Sequence, residues 1–203
     1  MPDTTKPDPQ ELPDLRPQAR LVARLAAAVK EDQLDDPTPC PDYAVRHLLG
    51  HVVGLAEAFT AAARKDFGPS TDTSPTASLP DVGTDWRDEL PRRVAELAEV
   101  WRDAAAWTGQ TRAGGVDLPA EVAGVVALNE LVVHGWDLAR ATAQEYAPDQ
   151  ASLAVSHELL SASAAEPPEA RGSIFGPPVP VAADAPLLDR VVALSGRDPG
   201  WRP

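Results

Sequence analysis

The sequence predicts an all-α protein, a four-helix bundle with a short C-terminal helical appendage. Three observations lead there. The 22 prolines are clustered, and proline breaks helix interiors because it lacks an N–H and clashes with the preceding turn. Between the clusters lie proline-free windows at 18–36, 42–68, 92–118, 120–147, 149–166 and 187–198. Within the windows apolar residues recur at helical spacing. Extended segments are scarce, with only 116–118 and 173–181 as short candidates.

Each element follows from its residues. In the first window Leu15, Ala19, Val22, Ala26 and Val29 make one apolar stripe. In the second, Val45, Leu48, Leu49, Val52, Val53, Leu55 and Phe59 make a broader one, with Asp42 placed to cap its start. The third carries Leu90, Val94, Leu97, Val100, Trp101 and Ala104, and Pro91 falls in its first turn or at a kink. Gly109, Gly114 and Gly115 then mark a loop. Pro119 suits the first turn of the fourth helix, whose run from Val122 to Leu138 is apolar nearly all round and therefore central. A shorter helix is expected around Leu153 to Leu160. Another spans Leu187 to Leu194 and stops at Gly196. Residues 66–82 read as a mobile surface linker and residues 1–13 as a disordered tail. Residues 14–203 form one helical domain.

Composition narrows the function. A net charge of −13 argues against a phosphate-backbone binder, which needs a basic face. The single cysteine, Cys40, excludes an internal disulfide. Residues 1–17 are polar and proline-rich, without the apolar core of a secretion signal. No run approaches the roughly 18 uninterrupted apolar residues that suggest a membrane span. The expectation is a soluble, cytoplasmic protein with no nucleic-acid or membrane partner, as a monomer or homodimer.

The fourth helix holds the informative polar residues. Glu130 and His134 stand four apart, so both project from one face amid Val125, Val126, Leu128, Leu131, Val132 and Val133. A buried carboxylate without a partner is costly. The pair fits an ordinary helix hydrogen bond, and it also fits a metal. The second helix adds His51 in another apolar stretch, with His47 one turn earlier. Two histidines and a glutamate suit zinc, with nickel and iron as alternatives, and leave a position open for water or substrate.

Three stretches carry a resemblance. They are Thr38-Pro-Cys-Pro-Asp-Tyr-Ala-Val-Arg-His-Leu-Leu-Gly-His51, Glu130-Leu-Val-Val-His-Gly-Trp-Asp-Leu-Ala139 and Gly196-Arg-Asp-Pro-Gly-Trp201. From about Leu15 to Trp201 the chain resembles the actinobacterial metal-binding branch of the DinB-like superfamily. That branch is related to the N-terminal domain of mycothiol-dependent maleylpyruvate isomerase. The resemblance implies a DinB-like four-helix bundle and a metal triad of His51, Glu130 and His134. His47 falls where the family has an acidic or variable residue and is not carried over. The family's common Trp and Thr or Ser after Pro-Asp are here Tyr43 and Ala44, which leaves Asp42 to cap the helix. The further C-terminal domain of the full isomerase, which contributes to the thiol-cofactor site, has no expected counterpart.

The resemblance further implies a thiol-dependent transferase or isomerase in which the metal activates mycothiol or a similar low-molecular-weight thiol against an electrophilic substrate. Asp137 is placed to orient His134, or else is an ordinary carboxylate. Arg140 could bind an anionic substrate or form a salt bridge. Cys40 lies too far from His51 along a regular helix to share its metal and reads as a small packed residue. His157 reads as a surface or packing residue. The five tryptophans read as core or lid, with Trp136 beside the metal helix. Two other functions remain open on sequence. One is a non-catalytic metal-binding sensor or interaction module, with the fourth position closed by a ligand such as His47. The other is a metal-free bundle that binds an apolar ligand or a partner protein.

Overall fold

A computed structural model describes residues 12–74, 78–167 and 176–203. Helix α1 spans Arg16–Ala27, α2 Val45–Arg64, α3 Pro69–Asp72 and α4 Trp86–Val100. A hairpin of β1 (Gln110–Ala113) and β2 (Val116–Pro119) follows, then α5 (Ala120–Ala141), α6 (Gln150–Ala165) and α7 (Leu187–Leu194). Single 3-10 turns lie at Glu31–Gln33 and Ala104–Trp107. Helices α4 and α5 each pack against both α1 and α2, which closes a four-helix bundle. The appendage is α6 packed on α5, with α7 packed on α6.

The helices follow the proline map, with corrections at their ends. Helix α1 begins before its proline-free window because Pro17 sits in the first turn, where the missing N–H would be unpaired anyway. Pro91 lies inside α4, beyond the first turn, because the helix already starts at Trp86. Helix α6 is longer than the expected 153–160. Its Asp149 carboxylate caps it by accepting from the Ser152 N–H at 3.0 Å. Helix α7 matches its expected span and ends at Gly196, whose φ of +87° is open to glycine at little cost.

Asp42 does not cap α2. It sits in a left-handed turn with φ 66°. The cap comes from within the helix, where His47 Nδ1 accepts the Ala44 N–H at 3.1 Å. The preceding loop is tied down by Thr38, whose hydroxyl donates to the carbonyls of Tyr43 (2.8 Å) and Cys40 (3.1 Å). The Arg46 N–H donates to the Leu34 carbonyl and the Val45 N–H to that of Asp36, at 2.9 and 3.0 Å. The loop therefore folds back over the start of α2.

The expected loop at Gly109–Gly115 is instead a β-hairpin. Gly114 and Gly115 both have positive φ, 60° and 80°, the requirement of a tight two-residue turn. Extended structure at 116–118 is present as β2. Of 173–181, residues 176–181 form no strand, and 173–175 lie outside the described residues. The 66–82 segment is largely exposed, as a surface linker is, but it is anchored to the bundle at two places; 75–77 lie outside the described residues. Its α3 turn buries Thr71, and the Thr71 carbonyl accepts the Gly115 N–H at 2.8 Å. A side chain at Gly50 would meet the Asp81 backbone at 2.7 Å, so the segment's end lies flush on α2. Of the proposed tail, 1–11 lie outside the described residues, and Leu12 packs against the core.

Helix α5 is long and apolar enough to cross a membrane by length and composition, yet most of it is buried inside the bundle. Trp86, Trp101, Trp107 and Trp136 are core residues. The Trp107 indole N–H donates to the Trp101 carbonyl at 2.6 Å, and that of Trp101 to the Phe59 carbonyl at 3.2 Å. Gly124 faces both rings. A Cβ there would lie 2.5 Å from Trp107 and 2.8 Å from Trp101, whereas one at Gly54 meets nothing within 4 Å. Gly124→Ala is expected to lower unfolding free energy by about 1–3 kcal/mol from overpacking. Gly54→Ala is expected to raise it by about 0.5–1 kcal/mol from helix propensity. Urea denaturation of the two variants beside wild type checks the opposite signs.

Candidate metal centre

Helices α2 and α5 face each other across the bundle, and their polar residues meet in the seam. Glu130 Oε2 lies 3.1 Å from His134 Nε2 on its own helix and 3.5 Å from His51 Nε2 on α2. The two imidazole rings stand edge to face at 4.7 Å. All three ligand atoms lie within 4.8 Å of one another. Two donors at zinc distances of about 2.0–2.2 Å in a tetrahedron stand roughly 3.3–3.6 Å apart. The three side chains therefore fit one small cation with little movement.

His134 has a second carboxylate at its other nitrogen. Asp137 Oδ2 lies 3.0 Å from Nδ1. Asp137 is fully buried, and its charge is answered by Arg197, which follows α7. The guanidinium forks onto the carboxylate, Nη2 to Oδ2 at 3.0 Å and Nε to Oδ1 at 3.3 Å. Its remaining arm donates to the Ser195 carbonyl at 3.1 Å. With Nδ1–H donating to Asp137, Nε2 is free to present a lone pair to a metal, the common carboxylate–histidine arrangement of zinc sites.

The electrostatics follow. Burial works against charge on His134, but its hydrogen bonds to the carboxylates of Asp137 and Glu130 outweigh it and raise its pKa to about 9. Burial works against the Glu130 anion too, yet its contacts with His134 and His51 hold it well below the usual carboxylate range. His51 moves the other way, chiefly through burial. The Glu130 carboxylate lies between the two imidazoles.

The structure thus brings together His51, Glu130, His134 and Asp137. It does not bring in His47, whose Nδ1 is engaged in capping α2. Nor does it bring in Arg140. That side chain donates to the carbonyls of Pro199 (3.4 Å) and Trp201 (3.1 Å) and lies over the Trp136 ring. Its work is to hold the C-terminal tail. Trp136 is buried on the Arg140 side of α5. His157, half-buried on α6, belongs to no metal-binding group among the described residues.

Two residues at the centre escape a reading along one helix. Arg197 is sixty residues from Asp137, and its only signal is membership of the Gly-Arg-Asp-Pro-Gly-Trp stretch. Cys40 approaches through the folded-back loop rather than along α2. Its sulfur groups with His134 and Asp137, all within 4.8 Å, and not with His51. That second set is the weaker cation site, because Asp137 is already paired with the fixed charge of Arg197. Burial foremost, then the negative charge of Asp137, push the Cys40 thiol up to about 12. From the same loop, the Tyr43 ring stands edge-on to His51 at 5.6 Å.

The mycothiol maleylpyruvate isomerase N-terminal domain family matches residues 15–139, a stretch that holds His51, Glu130, His134 and Asp137. Over 177 residues the chain is 29% identical to an uncharacterized protein of Mycobacterium tuberculosis strain H37Rv, covering 86% of this chain and 91% of that one. A second uncharacterized protein of that strain is 30% identical over 146 residues, 63% of this chain and 54% of the relative. The crystal structure of mycothiol-dependent maleylpyruvate isomerase superposes with a TM-score of 0.55 at 18% identity, covering 79% of this chain and 76% of that chain. A histidine-to-alanine mutant of that enzyme gives 0.56 at 17%, covering 76% and 72%. At these identities the likeness is one of fold, the same helical bundle.

Two outcomes separate the two ligand sets. Cys40→Ala is expected to leave the protein's content of divalent metal unchanged, as measured by elemental analysis. Iodoacetamide is expected to alkylate Cys40 at neutral pH about a hundredfold or more slower than a free thiol, because so little thiolate is present.

Proposed function

This chain belongs to the mycothiol maleylpyruvate isomerase N-terminal domain family, and from that premise we propose that it is a metal-dependent, thiol-using transferase or isomerase. One divalent cation is held by His51, Glu130 and His134. Zinc suits this donor set best, with nickel and iron as alternatives. The thiol is mycothiol or a close relative, and the second substrate is a small electrophile. The observation that supports this reading most is the convergence of three donor atoms from two helices at separations near those of bound zinc.

When bound, the metal lowers the pKa of a thiol from about 8.5, so that thiolate is available at neutral pH. The chain's residues prepare for that. One carboxylate and two neutral imidazoles leave a dication with a net charge of about +1, which attracts an anionic sulfur. Asp137 keeps the His134 proton on Nδ1 and its Nε2 lone pair turned to the site. Helices α2 and α5 carry the donors on rigid backbone, so little is reorganised on binding. Cys40 stays protonated and is a poor nucleophile, so the working sulfur comes from outside the chain. Tyr43 borders the centre on the His51 side, and Cys40 of the same loop lies near His134 and Asp137.

Elemental analysis of purified wild type beside Glu130→Ala tests the metal. About one divalent ion per chain is expected in wild type and a small fraction of that in the variant. A metal content unchanged by Glu130→Ala would defeat the assignment. The chemistry is tested by supplying metal-loaded protein with mycothiol and a panel of electrophiles. Loss of free thiol in wild type, and none in His51→Ala, is expected. No thiol loss with any of them would leave a metal-binding module without this catalysis.

A further inference from the structure

We propose that the C-terminal tail is part of the metal centre, with Arg197 as the positioning residue that holds Asp137 against His134. The inference rests on the metal reading above and extends it to a part of the chain beyond the family match, which ends at residue 139.

The geometry is specific. Asp137 is fully buried, while the Arg197 side chain is 10% exposed. Both oxygens of the carboxylate are engaged by the guanidinium fork, and Oδ2 also faces His134 Nδ1 at 3.0 Å. A carboxylate rotates easily about its terminal torsion, which has broad minima. A two-point fork removes that freedom, as a single ammonium cannot. Arg197 thereby fixes the plane in which Oδ2 accepts from Nδ1, and so the direction in which Nε2 points at Glu130 and His51.

The tail is built to deliver this group. It leaves α7 through Gly196, at φ +87°, where a Cβ would come within 2.8–3.1 Å of Gly176. It is pinned at its far end by Arg140 on α5 through the carbonyls of Pro199 and Trp201. Both anchors bracket Arg197. Arg140 and Asp137 belong to the same helix as the two α5 ligands. The tail is thus referenced to the helix that carries the site, with α7 feeding it in from the appendage.

The test uses the full chain, stripped of metal and titrated with Zn²⁺ against a chromophoric chelator. Circular dichroism and thermal unfolding of the metal-free protein are recorded alongside. Arg197→Met is expected to bind Zn²⁺ about 10–100-fold more weakly than wild type, the range for losing a partner behind a metal ligand. The Co²⁺-loaded variant is expected to show an altered visible spectrum. If Arg197 matters to folding alone, the thermal midpoint falls while the folded variant binds Zn²⁺ within twofold of wild type, and the proposal is overturned. If Arg197→Met does not fold, Arg197→Lys decides, since it keeps the charge and gives up the fork. Binding at least fivefold weaker supports the proposal, and smaller changes overturn it. Failure of wild type to bind Zn²⁺ would instead defeat the metal reading itself.

Discussion

Glu130, His134 and Asp137 place three ionisable groups within about two turns of the most buried helix of the protein. Charge in such a place must be met by charge or by hydrogen bonds, because desolvation alone would disfavour the folded state. Each partner comes from a different part of the chain. His51 comes from α2, across the bundle. Arg197 comes from the tail after α7. Satisfying these groups therefore requires the bundle to close and the appendage to dock.

The bundle divides its labour between two seams. Where α4 meets α1 and α2, the buried contacts are apolar, ion pairs of Arg64 with Glu96 and Arg93 with Glu57 lie at the rim, and the edge-to-face indoles of Trp101 and Trp107 close on Gly124. Where α5 meets α2, the seam carries His51, Glu130 and His134, largely buried and flanked on both helices by apolar residues. Low local dielectric strengthens the ion pairs there and makes any unpaired member costly. That explains why Asp137, the most buried acid, is also the one with the most complete set of partners. It also separates the roles of the two arginines on this side. Arg197 meets the acid, whereas Arg140 meets backbone carbonyls and the Trp136 ring and secures the segment that carries Arg197.

Much of this was legible from local chemistry. Proline positions marked the long helices because a missing N–H cannot be hidden in a helix interior. The i, i+4 pair of Glu130 and His134 on an apolar helix signalled a demand for a partner, and His51 was the evident donor. The misses have physical causes too. Asp42 looks like a cap, but the turn takes it left-handed and His47 supplies the bond from inside the helix. The hairpin strands are four residues each, too short to show a period. The 66–82 segment has the composition of a surface linker and is largely exposed, and only its anchoring by one turn of helix and one buried threonine escapes a reading of composition.

The long helices, their apolar faces and the residue types able to bind a cation are readable along the chain, because these depend on neighbours within a turn or two. Tertiary structure alone decided which polar groups meet. It turned the loop so that Cys40 reaches His134 and Asp137 but not His51. It assigned His47 to a helix cap and Arg140 to the tail. It brought Arg197 to a carboxylate sixty residues away. Pairings of this kind depend on how helices cross and loops fold back, and no local period records that.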